Sequence, residues 1–406
     1  MRVLMSCAVV AAATSCTAAI APDAVKDPSV HIAPPAVVQV ASGVEHSCAL
    51  LPDGRVFCWG IATATGRHAG DPTLPRRIPG PALVSITAGG DYTCGLTTDG
   101  RAYCWGSNSS GQLGDGTRVN RLDPTAVASV IRFVRLSAGG QTTCGIDTTG
   151  AVYCWGDGFL GELGDGIDTV NHAVSLPQRV PTTRTFREIS SGFGGVCAVD
   201  ASGFVFCWAA FGRLGRLAAA STARLQAVTG FSCGAVYDYA SLHCASPTAV
   251  PSSGMIQLLS TGGTTACAID VSALVECWGD GAEGRLGNGT QQMSLTPVFV
   301  TSELRYTLVT AGPLFACALS TDGRALCWGN NFRGYLGTGQ PQGSAVPVQV
   351  SGELQFVSLS VGTAHVCGAT LGGNVYCWGA DVAGELGQPQ TGVDSRVPIL
   401  LTLPSE

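Results

Sequence analysis

Charge is scarce in this chain of 406 residues: only 12% are Asp, Glu, Lys or Arg, and 22 basic against 28 acidic residues leave a net charge of −6. Nothing in that balance suggests a phosphate-binding surface, so nucleic acid is not expected among the partners. Long apolar runs are missing as well. The stretch from Val3 to about Ala13 is too short to cross a bilayer. Catalytic signatures are absent: neither a Gly-x-Ser-x-Gly elbow nor a His-Glu-x-x-His pair occurs. The histidines, His31, His46, His68, His172, His243 and His365, are scattered. His46 and His365 each precede a cysteine by two residues, where other copies of the same frame hold Tyr92, Thr142 or Phe315. A position open to such variety suits structure better than catalysis. No Cys or His cluster has zinc-type spacing. Asp115, Asp157, Glu162, Asp165 and Asp168 sit in Gly-rich turns, not in a twelve-residue loop of alternating acids. No metal or cofactor is expected, and Asp before Gly is what turns prefer for backbone reasons.

Tryptophan is missing everywhere except in one recurring step, and that step organises the chain. Cys-Trp occurs at Cys58-Trp59, Cys104-Trp105, Cys154-Trp155, Cys207-Trp208, Cys277-Trp278, Cys327-Trp328 and Cys377-Trp378. Each of these cysteines has a partner ten residues upstream: Cys48, Cys94, Cys144, Cys197, Cys267, Cys317 and Cys367. A looser copy, Cys233 with Cys244, has a spacing of eleven and Ala245 where Trp would stand. Residues locked to one frame are placed by architecture, so the chain is an internal-repeat protein.

The best copies, at 93–106, 143–156 and 316–329, read as two short strands around a Gly-containing turn. With Thr97 opposite Arg101, Thr98-Asp99-Gly100 forms a three-residue loop, and Gly100 takes the left-handed position of its bulge. Counting outward, 94 and 104 fall on a non-hydrogen-bonded rung, where Cα atoms approach to about 4.5 Å. A disulfide tolerates about 4.4–6.8 Å, so each cysteine pair is expected to close a cross-strand bridge.

Before each hairpin lies another strand-like stretch, at 37–42, 83–88, 133–138, 186–190, 225–229, 256–261, 306–311 and 356–361. After it come Gly-rich turns, at 111–117, 161–167, 284–290 and 334–340, and Pro-containing extended segments such as 296–300 and 346–350. Units of three or four short strands without a helix describe the blades of an all-β propeller; they are too long and strand-rich for a linear solenoid. The hairpin count points to eight short blades. The alternative is seven, with Cys233 and Cys244 in an inserted hairpin.

The frame Gly-Gly-x-x-x-Cys-x-Leu, then Asp-Gly-x-x-Tyr-Cys-Trp-Gly-x-Asn-x-x-Gly-x-Leu-Gly, resembles the regulator of chromosome condensation repeat. The resemblance covers residues from about 37 to 400 and is strongest at 88–117, 138–166 and 311–337. It implies a propeller, usually of seven blades, that binds protein. No specific activity carries over. The chromatin-associated members exchange guanine nucleotides in the nucleus, and the plant photoreceptors use a Gly-Trp-Arg-His-Thr motif that does not occur here. Secreted bacterial members that inhibit β-lactamases are nearest in compartment.

The first 21 residues, with Arg2, an apolar stretch and then small residues, read as a signal peptide. Ala13-Thr14-Ser15-Cys16 resembles a lipoprotein box, although a large aliphatic residue is expected at Ala13; Ala19-Ile20-Ala21 is an ordinary cleavage pattern hindered by Pro22. Sixteen of eighteen cysteines pair in hairpins and Cys7 leaves with the leader, so Cys16 stands odd and lipidation resolves it. Residues 22–36, rich in proline, read as a tether, and 37–406 as one repeat domain. Bridges and export reinforce each other, since disulfides persist in oxidising compartments.

These features lead us to expect an exported, membrane-anchored propeller that acts as a binding scaffold for an unknown protein at the bacterial cell envelope. It would be a monomer, not an enzyme, touching the membrane only through its lipid. Its place would be the outer membrane or cell surface, or the periplasm or medium if cleavage is ordinary. The long, variable inter-hairpin loops are the expected working surface. One stretch, 211–225, differs from the rest by interleaving Arg213, Arg216 and Arg224 with Leu and Ala; it is either a partner-docking edge or ordinary apolar packing in a shortened blade. The alternative is a propeller enzyme acting on polysaccharide or a small molecule at the channel mouth, which would need carboxylates such as Glu162, Asp165 and Asp280 to converge.

Overall fold

The computed structural model describes residues 36–61, 73–167, 172–211, 242–250, 254–389 and 392–404. Among them every regular element is a strand except one short 3-10 turn, Ala282–Gly284. The strands form seven four-stranded antiparallel sheets, each built from four consecutive strands. These are the blades of a propeller: residues 39–78, 85–126, 133–179, 186–250, 256–299, 306–349 and 356–401. The first strands of all seven line one central channel.

The innermost strands are knit into a circle by side chains. A Ser or Thr hydroxyl on one blade accepts a hydrogen bond from a backbone N–H of the next. The pairs are Thr87 with Ala138 (3.0 Å), Ser137 with Ser191 (2.8 Å) and Ser190 with Thr261 (2.9 Å). Ser260 with Ala311 (2.9 Å), Thr310 with Val361 (3.3 Å) and Ser360 with Ser42 (2.9 Å) continue it. Blade 1 has Ala41 at this position and no hydroxyl to offer. There Gln39 bridges instead, donating to the Ile86 carbonyl (2.9 Å) and accepting from its N–H (3.0 Å). Every junction around the channel, including that of blade 7 with blade 1, is therefore closed.

The second and third strands are the cysteine hairpins. Cys94 lies opposite Cys104, Thr97 N–H bonds the Arg101 carbonyl, and Gly100 has φ +78°. Seven bridges span these hairpins with Cα atoms 4.0–4.2 Å apart. The Cys-Trp-Gly step follows from what comes next on the chain. In blades 2 to 7 the pairing of third and fourth strands skips a residue at the Trp, a bulge that re-aims a side chain. Gly106, just after it, has φ +111°, and a Cβ there would lie 2.5 Å from the Asp91 carbonyl. Blade 4 places Ala209 at this position with φ 69°.

Each re-aimed indole enters the core of the preceding blade. Trp155 packs with Cys94 and Cys104, Trp208 with Cys144 and Cys154, and Trp278 with Cys197 and Cys207. Trp328 packs with Cys267 and Cys277, Trp378 with Cys317 and Cys327, and Trp105 with Cys48 and Cys58. Trp59 of blade 1 packs with Cys367 and Cys377 of blade 7, which completes the circle.

The expectation of eight blades is overturned. Residues Leu242–Val250 are the fourth strand of blade 4, pairing with Val205–Phe211, and Cys244 stands opposite Ala209 in that pairing. Residues 186–250 are one blade with a long insertion between its third and fourth strands, so the ring has the seven blades of the alternative, but Cys244 lies in the fourth strand rather than in an inserted hairpin. The hairpin count misled because a pair of cysteines does not make a blade; four paired strands do. Cys233, the expected strand at 225–229, the leader, Cys16 and the tether up to residue 35 lie outside the described residues.

Two buried histidines lie at and beside the closing seam. His365 Nε2 is 2.7 Å from Ser47 Oγ, joining blade 7 to blade 1, and His46 Nε2 is 2.9 Å from Thr93 Oγ1, joining blade 1 to blade 2. Burial holds His46 down to about 4 and His365, which also feels His46, down to about 3. Both rings are neutral in the folded ring. Since the folded values lie below the unfolded one of 6.5, the stability that depends on neutral rings is complete above pH 6.5 and is lost as pH falls toward 4. For His46 the loss is on the order of 3 kcal/mol. Urea unfolding at pH 7 and pH 4 should show a steeper decline for the wild type than for His46→Tyr with His365→Phe, residues that the same frame position holds in blades 2 and 6. Equal declines would show that the seam histidines do not titrate on unfolding.

A latched loop face as the candidate binding surface

Antiparallel order sorts the connections onto two ends of the ring. Cysteine hairpin tips and blade-to-blade links share one face; first-to-second turns and the long third-to-fourth loops share the other. The expected working loops thus divide: 107–120, 158–167, 280–293 and 330–343 stand on the loop face, beside the channel mouth. The channel encloses about 270 Å³ and is lined on this side by Gly43, Gly89, Gly139, Gly192, Phe193 and Pro313.

The loops are held down by the indoles. Five described loops begin with Gly-x-Leu-Gly, at 111–114, 161–164, 284–287, 334–337 and 384–387. The leucine is buried at 0–1% exposure in every copy. The carbonyl of x accepts the indole N–H of the next blade: Gln112 from Trp155 (2.9 Å), Glu162 from Trp208 (2.8 Å), Arg285 from Trp328 (3.0 Å), Tyr335 from Trp378 (3.0 Å) and Glu385 from Trp59 (2.8 Å). The second glycine lies against the same ring. Gly337 has φ +65°, and a Cβ there would stand 2.8 Å from Trp378 Nε1. Turn and tryptophan were both visible in the sequence, but not their connection. The signal was the interval of 43 residues that separates Gln112 from Trp155, Arg285 from Trp328 and Tyr335 from Trp378.

Among the described residues, Trp105 and Trp278 find no acceptor for the indole N–H. Gly212-Arg213-Leu214-Gly215 repeats the four-residue pattern in sequence, a match that reading 211–225 as unlike every other loop overlooked. Arg213, Arg216 and Arg224 lie outside the described residues, so the docking edge expected there has no structural description.

Polar side chains then fold each loop back on its turn. Asn108 accepts from the Leu113 N–H (3.0 Å) and donates to the Val119 carbonyl (3.1 Å); Asn331 does the same with Leu336 (2.9 Å) and Gln340 (2.7 Å). Asp115 holds Arg121 at 2.7 Å and caps Thr117. The carboxylates of the enzyme reading are spent the same way. Glu162 is buried and accepts from the Leu160 N–H (2.8 Å), Asp165 meets His172 at 2.6 Å, and Asp280 meets Arg285 at 3.1 Å. Two belong to blade 3 and one to blade 5, each tied within its own loop. Among the described residues no three His, Cys, Asp or Glu side chains gather at a metal-binding distance.

What this face leaves open is apolar and acidic. Phe159, Phe332 and Val382 occupy one frame position, five residues after the hairpin's second cysteine, and are 42%, 79% and 56% exposed. Glu45, Asp91, Asp157 and Glu283 stand on the same face, none with an arginine partner among the described residues.

Two family models, both described as the regulator of chromosome condensation (RCC1) repeat, match the chain. One matches residues 37–62, 83–112, 133–162 and 306–334, the other 99–146, 149–199, 276–319 and 322–369; together they span more than half of it. No protein of curated function matches in sequence. Among solved structures, human WBSCR16 is similar at 19% identity and TM-score 0.68, over 83% of this chain and 87% of that one. Yeast RCC1 (Prp20), in its structure with Kap60, is similar at 18% identity and TM-score 0.68, over 96% and 91%. The ectodomain of the Arabidopsis thaliana receptor kinase ACR4 is similar at 19% identity and TM-score 0.53, over 88% and 98%. At such identities the likeness is one of fold.

The latch makes a measurable demand on glycine. Gly337→Ala should lower stability by about 2–4 kcal/mol, combining left-handed strain with overpacking against Trp378. Gly339→Ala, with φ +77° but its nearest neighbour, Val397, 3.5 Å away, should cost only about 1 kcal/mol. Urea midpoints measure both, and equal losses would mean that the indole contact does not hold the turn.

Proposed function

Because the chain belongs to the regulator of chromosome condensation (RCC1) repeat family, we propose that it is a propeller scaffold that binds another protein on its loop face. The carrying observation is the rim of Phe159, Phe332 and Val382. A phenylalanine left 79% exposed, on a turn latched from below, is preorganised contact area that loses little freedom on binding. Aromatic anchors ringed by polar groups are what protein interfaces use. Yeast Prp20 binds Gsp1p and histones and has been crystallised with Kap60; those proteins indicate the class of partner, not its identity.

The proposal extends to where the ring works. Residues 1–21 are a signal peptide, Cys16 is lipidated when cleavage precedes it, and 22–36 tether a monomeric ring to the cell envelope. Seven bridged hairpins support an oxidising compartment, and the leader composition with its odd cysteine supports the anchor.

Two outcomes test this. In a host that processes lipoproteins, the wild type should fractionate with membrane and incorporate labelled palmitate, and Cys16→Ala should do neither. Indistinguishable variants would remove the anchor. In cross-linking from native envelope, the oxidised mature ring should capture one protein stoichiometrically. Phe332→Ala with Val382→Ser should abolish that capture while stability stays within about 0.5 kcal/mol, as expected for exposed sites. Undiminished capture would move the binding surface away from this rim.

A further inference from the structure

The loop of blade 7 repeats the architecture of blade 2 with two amides replaced by acids. In blade 2, Asn108 N–H donates to Asn120 Oδ1 (2.8 Å), and Asn108 Oδ1 accepts from the Leu113 N–H (3.0 Å). In blade 7, Asp381 N–H donates to Asp394 Oδ1 (3.2 Å), and Asp381 Oδ1 accepts from the Leu386 N–H (3.1 Å). The difference lies in the remaining atom. Asn108 Nδ2 donates to the Val119 carbonyl and Asn331 Nδ2 to those of Gln340 and Gln342, whereas Asp381 Oδ2 finds no partner among the described residues although the residue is only 1% exposed. An oxygen thus stands where the fold needs a donor, and a buried carboxylate without one is costly.

The surroundings do not neutralise it. Among the described residues one arginine makes an ion pair with the loop, Arg333 of blade 6, and Asp394 takes it through two bonds of 2.6 Å. Glu385, in the turn below, is buried and accepts from the Ala383 N–H (2.7 Å); its acidity is weakened by burial, with Asp381 and Glu45 of blade 1 adding to the effect. We propose that Asp381 is a proton-operated clasp: with a proton on Oδ2 it donates to its own loop as the amides do, and without that proton the returning chain keeps only the bonds from the Gly392 N–H to the Asp381 carbonyl and from the Asp381 N–H to Asp394 and is held less tightly. Burial, reinforced by Asp394, does push this carboxyl above its ordinary range, against the pull of the Leu386 N–H and Arg333. A raised folded value means that the stability tied to the proton is complete below the unfolded carboxyl value of 3.8 and is lost as pH rises through the folded one.

Asp381→Asn makes the donor permanent and tests the clasp in the intact chain. The wild type should lose thermal stability relative to Asp381→Asn as pH rises from about 4 to 8. Amide exchange at Gly392–Asp394, as a ratio of wild type to variant, should rise by about tenfold or more over the same span. Parallel melting profiles and a constant ratio would overturn the proposal. Should the variant not accumulate, carbon NMR of the wild type decides. The Asp381 carboxyl, assigned through its bond from the Leu386 N–H, should give up its protonated shift only above the ordinary carboxyl range if the clasp exists, and titration within that range would overturn it.

Discussion

Each disulfide of this ring is buried against the indole of the blade that follows, and the rest of the structure depends on that contact. The bridged cysteines are at most 5% exposed, and so are the seven tryptophans. A two-stranded hairpin with a ten-residue bridge is a weak unit alone, because closing so short a loop removes little chain entropy. Placed seven times between blades, the same bridge becomes the floor on which a large ring packs. Burying an indole of some 150–250 Å² makes each interface the unit of stability. The circle closes because Trp59 meets the bridge of blade 7 as Trp155 meets that of blade 2.

The indole also connects stability to function. Its apolar body fills the inter-blade core, and in the five described latches its N–H reaches the loop-face turn of the neighbour, where an unsatisfied donor would be costly. One side chain therefore sets both the spacing of the blades and the height of the loops. Loop tips such as Phe332 can vary freely, because the Gly-x-Leu-Gly turn beneath them does not. Low overall charge fits this division: the blade interfaces are apolar, and part of the loop-face charge is held in pairs such as Asp115 with Arg121 and Arg333 with Asp394.

The hairpin, its register and the β-propeller class were legible because they rest on local rules: a ten-residue cysteine spacing, a left-handed Gly100 and β-branched alternation. Blade number was not, since Cys233 and Cys244 come close to the spacing of the hairpins, at eleven, while Cys244 belongs to the fourth strand of blade 4. The latch between Trp155 and Gln112 escaped because it joins residues on different blades, and only a periodicity across repeats could have announced it. Asp381 escaped for the opposite reason. An Asp in an Asn position looks conservative until the structure shows that the lost amide hydrogen was the donor the fold uses. The carboxylates Glu162, Asp165 and Asp280 looked like candidate chemistry only while their turn partners were unseen.

The most direct test is to expose the native oxidised ring to reductant without denaturant and count freed thiols per molecule by alkylation and mass. If every bridge is sealed by its neighbour's indole, molecules will be found fully bridged or, once the ring opens, reduced at many hairpins together, with little between. Stepwise release of single bridges from rings that keep their native tryptophan fluorescence would contradict it, and the hairpins would then be independent staples.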